Sequence, residues 1–397
     1  MRSRRNAVFK AASVVAGNGI GSGVMAIPYY VVHTGVLGGV LAFAAAYIVS
    51  VLMHLMIAEM ILHTKDTSDI LAIFNNYLFR GRSGKIIRLV FFILLVVVLI
   101  ANLSAYISGA SEIVTGIFPV SCVSAKIIFF VFAAVVVFAG LGAVCTGEAV
   151  SVSLMAIILL LMSIFSALHT GNGTDIKMCG NIKEWAAAYG MIMFSFSAIF
   201  AVPQVVKYLS APTAEGNTDL QVFSDGETKK DIKRAIWLGL LINLVLSVTV
   251  AVCTVITSGE VTEIAIVGWA QAVGGAVMIA GSVFIIFAML TSFWSIGLAV
   301  ADIVAGGIRV RREISFALAT VPALILTLLS GSSFTDYLKL VGGAVAIIIA
   351  LMAVPSFLIC MKEGESEGIM YQKGNRIIAV FVFIMYVVMA VGSCVKT

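Results

Sequence analysis

Eleven apolar runs, each long enough to cross about 30 Å of hydrocarbon as a helix, dictate what this chain can fold into. They fall at residues 8–32, 36–62, 85–115, 125–144, 149–168, 185–208, 235–257, 273–305, 314–330, 337–361 and 377–394. A spanning backbone must satisfy its own polar groups, which leaves helices or closed barrels, and runs of this length select helices. The fold class expected is an all-α integral membrane protein of eleven transmembrane helices, a single transporter-like domain over residues 1–397. Charged residues make up only 11% of the chain, against about 25% in a soluble domain. The first run is too long for a cleaved signal peptide, and everything after it is equally hydrophobic.

Lysine and arginine collect on the cytoplasmic side of a membrane. With the N-terminus inside, the inner segments hold 20 of the 25 basic residues, in clusters such as Arg2, Arg4, Arg5 and Lys10, or Arg309, Arg311 and Arg312. The outer segments keep only Lys126, Lys177, Lys183, Lys339 and Lys396. An odd number of crossings then puts the C-terminus outside, in the cell's inner or plasma membrane. The net charge of +5 follows from this asymmetry and calls for no nucleic acid.

Enzyme chemistry finds no support. No phosphate-binding loop, dinucleotide fingerprint, zinc motif or serine triad is present, and His33, His54, His63 and His169 are scattered. Six cysteines show no metal-site spacing. Cys145, Cys253 and Cys360 read as packing residues, while Cys122 and Cys179 both fall outside, where a disulfide between their loops is open.

The first run contains "GNGIGSGVMAIP", four glycines at 17, 19, 21 and 23. Two readings compete: a break in the helix, tolerated at membrane depth only beside protein or a wet cavity, or a small-residue face for close helix packing. A second segment favours the break. Laying Ser22–Pro28 ("SGVMAIP") over Ser197–Pro203 ("SAIFAVP") matches serine, alanine and proline in step at an offset of 175 residues, which is five helices. Five being odd, the second copy enters from the opposite side, giving a 5+5 inverted repeat with discontinuous helices 1 and 6, plus one extra helix. The halves span about 8–168 and 185–361, with helix 11 at 377–394; "ANLSAY" (101–106) and "AMLTSF" (288–293) echo each other in the third helix of each half. Half-helix N-termini attract a carboxylate and freed carbonyls attract an ammonium or metal cation, so two facing breaks suit an amino acid.

The segments "GNGIGSGVMAIPYY", "FSFSAIFAVPQVVKYL" and "FAMLTSFWSIGLAVADIV" resemble the amino acid/auxin permease family and its bacterial relatives among the hydroxy and aromatic amino acid permeases, within the amino acid–polyamine–organocation superfamily and its leucine-transporter-like fold. Many members carry a histidine near the sixth-helix break; Ser197 or Ala198 stands there instead. Sodium-coupled transporters of this fold share the Gly-Asn-x-x-Gly-x-Gly and Ala-x-x-Thr-Ser patterns. That resemblance implies one sodium ion held by the carbonyls of Gly17, Ile20 and Ala288 and the hydroxyls of Thr291 and Ser292, a set of neutral oxygens suited to a hard cation. The alternative for Thr291 and Ser292 is interhelical hydrogen bonding.

For the substrate, the resemblance implies the N–H groups of Ser22 and Gly23 for the carboxylate, beside Gly19 and Gly21, with the Tyr106 hydroxyl added and Asn102 one turn away. The sixth-helix spacing of Phe194, Ser195, Ser197 and Phe200 fits carbonyls receiving the ammonium, with Phe200 closing over the ligand. Phe293 and Trp294 either face this pocket or pack away from it.

The function expected is secondary active import of a small or medium neutral amino acid by alternating access. It is driven by sodium at a single site or by protons, with no other cofactor. Val24 stands where a second sodium site would need asparagine, and helix 5, read as 149–168, has no lysine. Glu59, Glu112 and Asp302 are the acids left to carry a proton; Glu59 and Asp302 could instead pair with Arg4 or Arg5 as an inner gate. The partners are the amino acid and the bilayer, and a monomer suffices. An amino-acid sensor with the same site but no flux is the rival; a channel lacks any ring of charges.

Overall fold

Two interruptions organise the chain. Helix α1 (Arg2–Ile20) stops in the middle of the glycine cluster, and α2 (Gly23–Thr64) restarts after a turn at Gly21. Helix α7 (Ile182–Ser195) stops at Phe196, followed by a 3₁₀ turn (Ile199–Ala201) and α8 (Val202–Leu209), with Pro203 in its first turn. The computed structural model describes residues 2–21, 23–64, 69–79, 81–168, 173–211, 226–261, 268–269, 273–332, 334–363, 369–370 and 375–395. The remaining helices are α3 (Ile70–Tyr77), α4 (Gly81–Ile117), α5 (Cys122–Ala139), α6 (Leu141–Leu168), α9 (Gly226–Thr257), α10 (Gly275–Ile308), α11 (Arg312–Ser330), α12 (Phe334–Glu363) and α13 (Asn375–Cys394).

Among the described residues ten helical spans are long and apolar enough to cross a membrane. Helix α1 is not one of them, because its first half carries Arg2, Arg4, Arg5 and Lys10. At 42 residues, α2 would run about 63 Å at 1.5 Å per residue, twice the hydrocarbon thickness. It bends at Gly35, whose φ of 82° leaves the helical region, and so joins the end of the first apolar run to the whole of the second. The backbone groups exposed by this bend are met by an extended segment: Val36 N donates to Lys177 O at 3.1 Å, Leu37 N to Met178 O at 3.0 Å, and Gly180 N to Thr34 O at 2.7 Å. A Cβ on Gly35 would lie 2.6 Å from the Lys177 carbonyl.

The expected boundary between helices 4 and 5, at 144–149, is corrected. The turn is at Gly140 (φ 92°), so α6 begins at Leu141 and takes in eight further residues, Glu148 among them. Helix α3 is an addition, capped by Asp69, whose carboxylate accepts from Ala72 N at 2.8 Å. The polar 209–233 segment is helical from Gly226; residues 212–225 lie outside the described ones, as does His169.

Helix α10 is the most enclosed span, surrounded by α1, α4, α5, α6 and α11, and α2 lies along α7. The outer surface is a belt of aliphatic side chains such as Val97, Ile128, Val135, Leu160 and Ile377, all more than half exposed, which is what a lipid solvent requires. Cys122 and Cys179 are both free thiols, so no bond joins their loops. Cys145 and Cys360 are buried and Cys253 half-buried, as packing residues.

Candidate functional site

The last four carbonyls of a helix have no intrahelical partner, and in α1 these belong to Gly17, Asn18, Gly19 and Ile20. Three are met by neighbouring hydroxyls. Ser292 Oγ lies 3.0 Å from Gly17 O and 3.2 Å from Asn18 O, Thr291 Oγ1 lies 3.1 Å from Gly17 O, and Ser195 Oγ lies 3.2 Å from Gly19 O. Thr291 Oγ1 is also 3.0 Å from Ala288 O on its own helix. Ile20, the last residue of α1, is fully buried. A threonine hydroxyl has a single proton to share among these acceptors. The cluster is therefore rich in oxygen lone pairs, at a helix C-terminus whose dipole is negative.

Close approach here depends on glycine. A Cβ on Gly21 would sit 2.5 Å from Ser292 Oγ and 3.4 Å from the Tyr106 hydroxyl; one on Gly23 would sit 2.7 Å from Ser195 Cβ; one on Gly19 would sit 2.5 Å from Asn243 Nδ2. Both readings of the glycine cluster thus hold at different positions. Gly17 and Gly19 lie inside α1 and serve contact, whereas α1 has already ended at Gly21.

Each of the last four carbonyls of α7 accepts a hydrogen bond. Phe196 N donates to Ile192 O and Met193 O, each at 3.1 Å, Ser197 N donates to Phe194 O at 3.1 Å, and Asn243 Nδ2 of α9 donates to Ser195 O at 2.7 Å. Asn243 is buried, and Ser247 Oγ donates to its Oδ1 at 3.1 Å. A second polar chain ties the α1 break to α10 and α8: Asn18 Nδ2 donates to Ser295 Oγ at 2.7 Å, and Gln204 Nε2 donates to Ser295 O at 2.7 Å.

Between the two breaks lies an enclosed cavity of about 20 Å³, lined by Asn18, Gly19, Gly21, Gly23, Asn102, Tyr106, Phe194, Ser197, Phe200, Ile296 and Val345. Eight residues expected at a substrate site therefore meet in one place. Ser195 instead bonds Gly19 and Asn243, and Ser22 lies outside the described residues. Phe293 stands edge-on to Phe129 and Phe130, with ring centroids 6.0 and 6.5 Å away, and Trp294 packs beside Gly147, so neither lines the cavity.

The inner-gate expectation is corrected as well. Arg4 pairs with Asp231 and, at 3.9 Å, with Glu227; Glu59 accepts from Met370 N at 3.0 Å and lies 3.5 Å from His63 Nε2; Asp302 pairs with Lys207 at 3.9 Å. Glu112 accepts from Phe334 N at 3.1 Å. The inner acids thus pair in three separate places. Asp231 was hidden to sequence reading because it precedes the apolar run of α9.

A family model described as the tryptophan/tyrosine permease family matches residues 4–393. The chain belongs to this family. The permease is also similar in structure to a manganese transporter of Eremococcus coleocola solved with an aromatic bis-isothiourea substituted compound, with a TM-score of 0.62 at 14% identity over 97% of this chain and 85% of that one. It is similar to MHP1, a nucleobase-cation-symport-1 family transporter solved closed with bromovinylhydantoin bound, with a TM-score of 0.59 at 14% identity over 97% and 90%. Comparison with curated protein sequences returned no match. At that identity the two structures speak for the fold alone; that the chain is a multi-pass membrane permease rests on its family and its apolar spans.

Proposed function

We propose that this permease is a secondary active importer of an aromatic amino acid, coupled to a cation at a single site. The observation that carries the reading is the cavity where Gly19, Gly21 and Gly23 of the first break meet Phe194, Ser197 and Phe200 of the second. No charged side chain lines it, which favours a neutral substrate. Family membership and the rings of Phe194 and Phe200 favour an aromatic side chain over the small or medium one expected from sequence.

The N-terminus of α2, with Gly21, Ser22 and Gly23, receives the carboxylate through backbone N–H groups, assisted by Tyr106. The ammonium goes to the Gly19 carbonyl, which has a second lone pair beyond the bond it accepts from Ser195 Oγ, with the Phe194 carbonyl beside it. An indole or phenol ring is far larger than a 20 Å³ cavity, so binding swings Phe194 and Phe200 aside and reclosing occludes the ligand. Ile296, Val345 and Asn102 then shape the side-chain end.

The eleven-helix, inverted-repeat reading is supported by two features. The bend at Gly35 separates the end of the first expected crossing from the second. Helices α1 and α7 end at Ile20 and Ser195, the same 175-residue offset that aligns the two sequence segments. One chain contains the whole site, so a monomer suffices for alternating access. Sodium is favoured as the coupling ion by the oxygen cluster of Gly17, Ala288, Thr291 and Ser292, with Ile20 as the fifth ligand; its neutral oxygens suit a hard cation. Proton coupling is the alternative.

Uptake of radiolabelled L-tryptophan into proteoliposomes tests this. Saturable uptake that follows an imposed sodium gradient and falls at least tenfold in Thr291→Ala is the expected result. Uptake that ignores sodium and tracks an imposed pH gradient would reject sodium coupling, and saturable binding with no flux would identify a sensor.

A further inference from the structure

We infer that the Glu148 carboxylate is the anionic ligand of the coupling cation, joining the oxygens of Gly17, Ala288, Thr291 and Ser292; this rests on reading the chain as a cation-coupled permease. Glu148 lies on α6 and is 0% exposed, and neither carboxylate oxygen has a hydrogen-bond partner. Its Oε2 faces Gly17 so closely that a Cβ there would sit 1.8 Å from that oxygen and 2.9 Å from Thr291 Cβ. Carboxylate, helix-end carbonyls and two hydroxyls therefore converge from three elements, α6, α1 and α10.

A carboxylate stripped of water without a partner is among the most unfavourable groups to place in a membrane interior. Of the charged and titratable groups on the helices packed against α6, Arg5 of α1 and Lys233 of α9 are exposed, and the buried or nearer ones are engaged elsewhere. Lys10 of α1 donates to Thr146 Oγ1 at 3.0 Å, Lys207 of α8 pairs with Asp302 of α10 at 3.9 Å, Asp231 of α9 pairs with Arg4 and Arg234, and Lys126 of α5 donates to Thr327 O at 2.7 Å. Cys145 precedes Glu148 on α6 and Tyr208 lies on α8; neither carries positive charge. Among the described residues no protein cation neutralises Glu148, and a small hard cation between it and the α1 carbonyls would. A loaded site is then electrically neutral, whereas neutral ligands alone would carry a net positive charge through the bilayer.

Binding of ²²Na⁺ to the purified full chain, with thermal stability in sodium against choline chloride, both without amino acid, tests the assignment. Wild type binds ²²Na⁺ saturably and melts higher in sodium. E148Q loses at least tenfold in sodium affinity and melts alike in both salts, because an amide is tolerated there uncharged. E148D keeps sodium-dependent stabilisation at reduced affinity, and it carries the test if E148Q does not accumulate. Unchanged ²²Na⁺ affinity in E148Q, or a wild type that binds no ²²Na⁺, overturns the inference. If L-tryptophan fails to stabilise wild type while E148Q still abolishes ²²Na⁺ binding, the substrate assignment falls and this one stands.

Discussion

At the scale of single residues, the site is built by removing side chains as much as by placing them. Gly23 faces Ser195, whose backbone Cα would lie 3.0 Å from an added Cβ, so relief requires a shift of backbone. Gly23→Ala should cost about 1–3 kcal/mol, the usual penalty of overpacking, and should lower both the melting temperature and tryptophan uptake. Gly21→Ala meets the Ser292 hydroxyl instead, which rotates more easily, so its effect on stability should be smaller while uptake still falls. Asn243 acts through its amide: Asn243→Ala leaves the buried Ser195 carbonyl unpaired, a loss of about 1–3 kcal/mol, read as a lower melting temperature. The glycines and the serine–threonine pair were legible in sequence because backbone breaks and cation sites need those residue types at fixed spacing. Glu148, Asn243 and Gln204 were not, since a lone polar residue in an apolar helix gives no sign of which face it occupies. For Glu148 the boundary decides: apolar runs ending at 144 and restarting at 149 leave it between helices, whereas the turn at Gly140 puts it eight residues into α6.

Among elements, the last helix is held where no sequence pattern announced it. Helix α13 lies against α7 through Gly190 and Gly392; a Cβ on Gly392 would sit 2.0 Å from the Ala186 carbonyl, and one on Gly190 2.9 Å from Ser393 N. Small residues that let backbones touch are a main source of helix association in lipid. Gly392→Leu should therefore loosen α13 and lower thermal stability, while the same change at Gly116, which has no atom within 4 Å of an added Cβ, should leave it nearly unchanged. The all-helical membrane class and the approximate positions of the apolar spans are readable because hydrocarbon demands long apolar runs. The bend at Gly35 and its union with the second crossing were not, because they depend on the 177–180 segment arriving from far along the chain.

For the whole molecule, the distribution of basic residues predicts an N-terminus inside and a C-terminus outside. Alkaline phosphatase fused after residue 397 should be active, and the same reporter in the 212–225 segment should be silent; the reverse would invert the topology. Beyond topology, the account depends on two interrupted helices enclosing one amino acid, with the carboxylate at the α2 N-terminus. The most direct measurement is an experimental structure of the permease with L-tryptophan. The predicted result is ligand density between Gly21–Gly23 and Phe194–Phe200, its carboxylate within hydrogen-bonding distance of the Gly23 N–H. Density only outside that cavity, or continuous helix through residues 20–23 or 195–199, would contradict it.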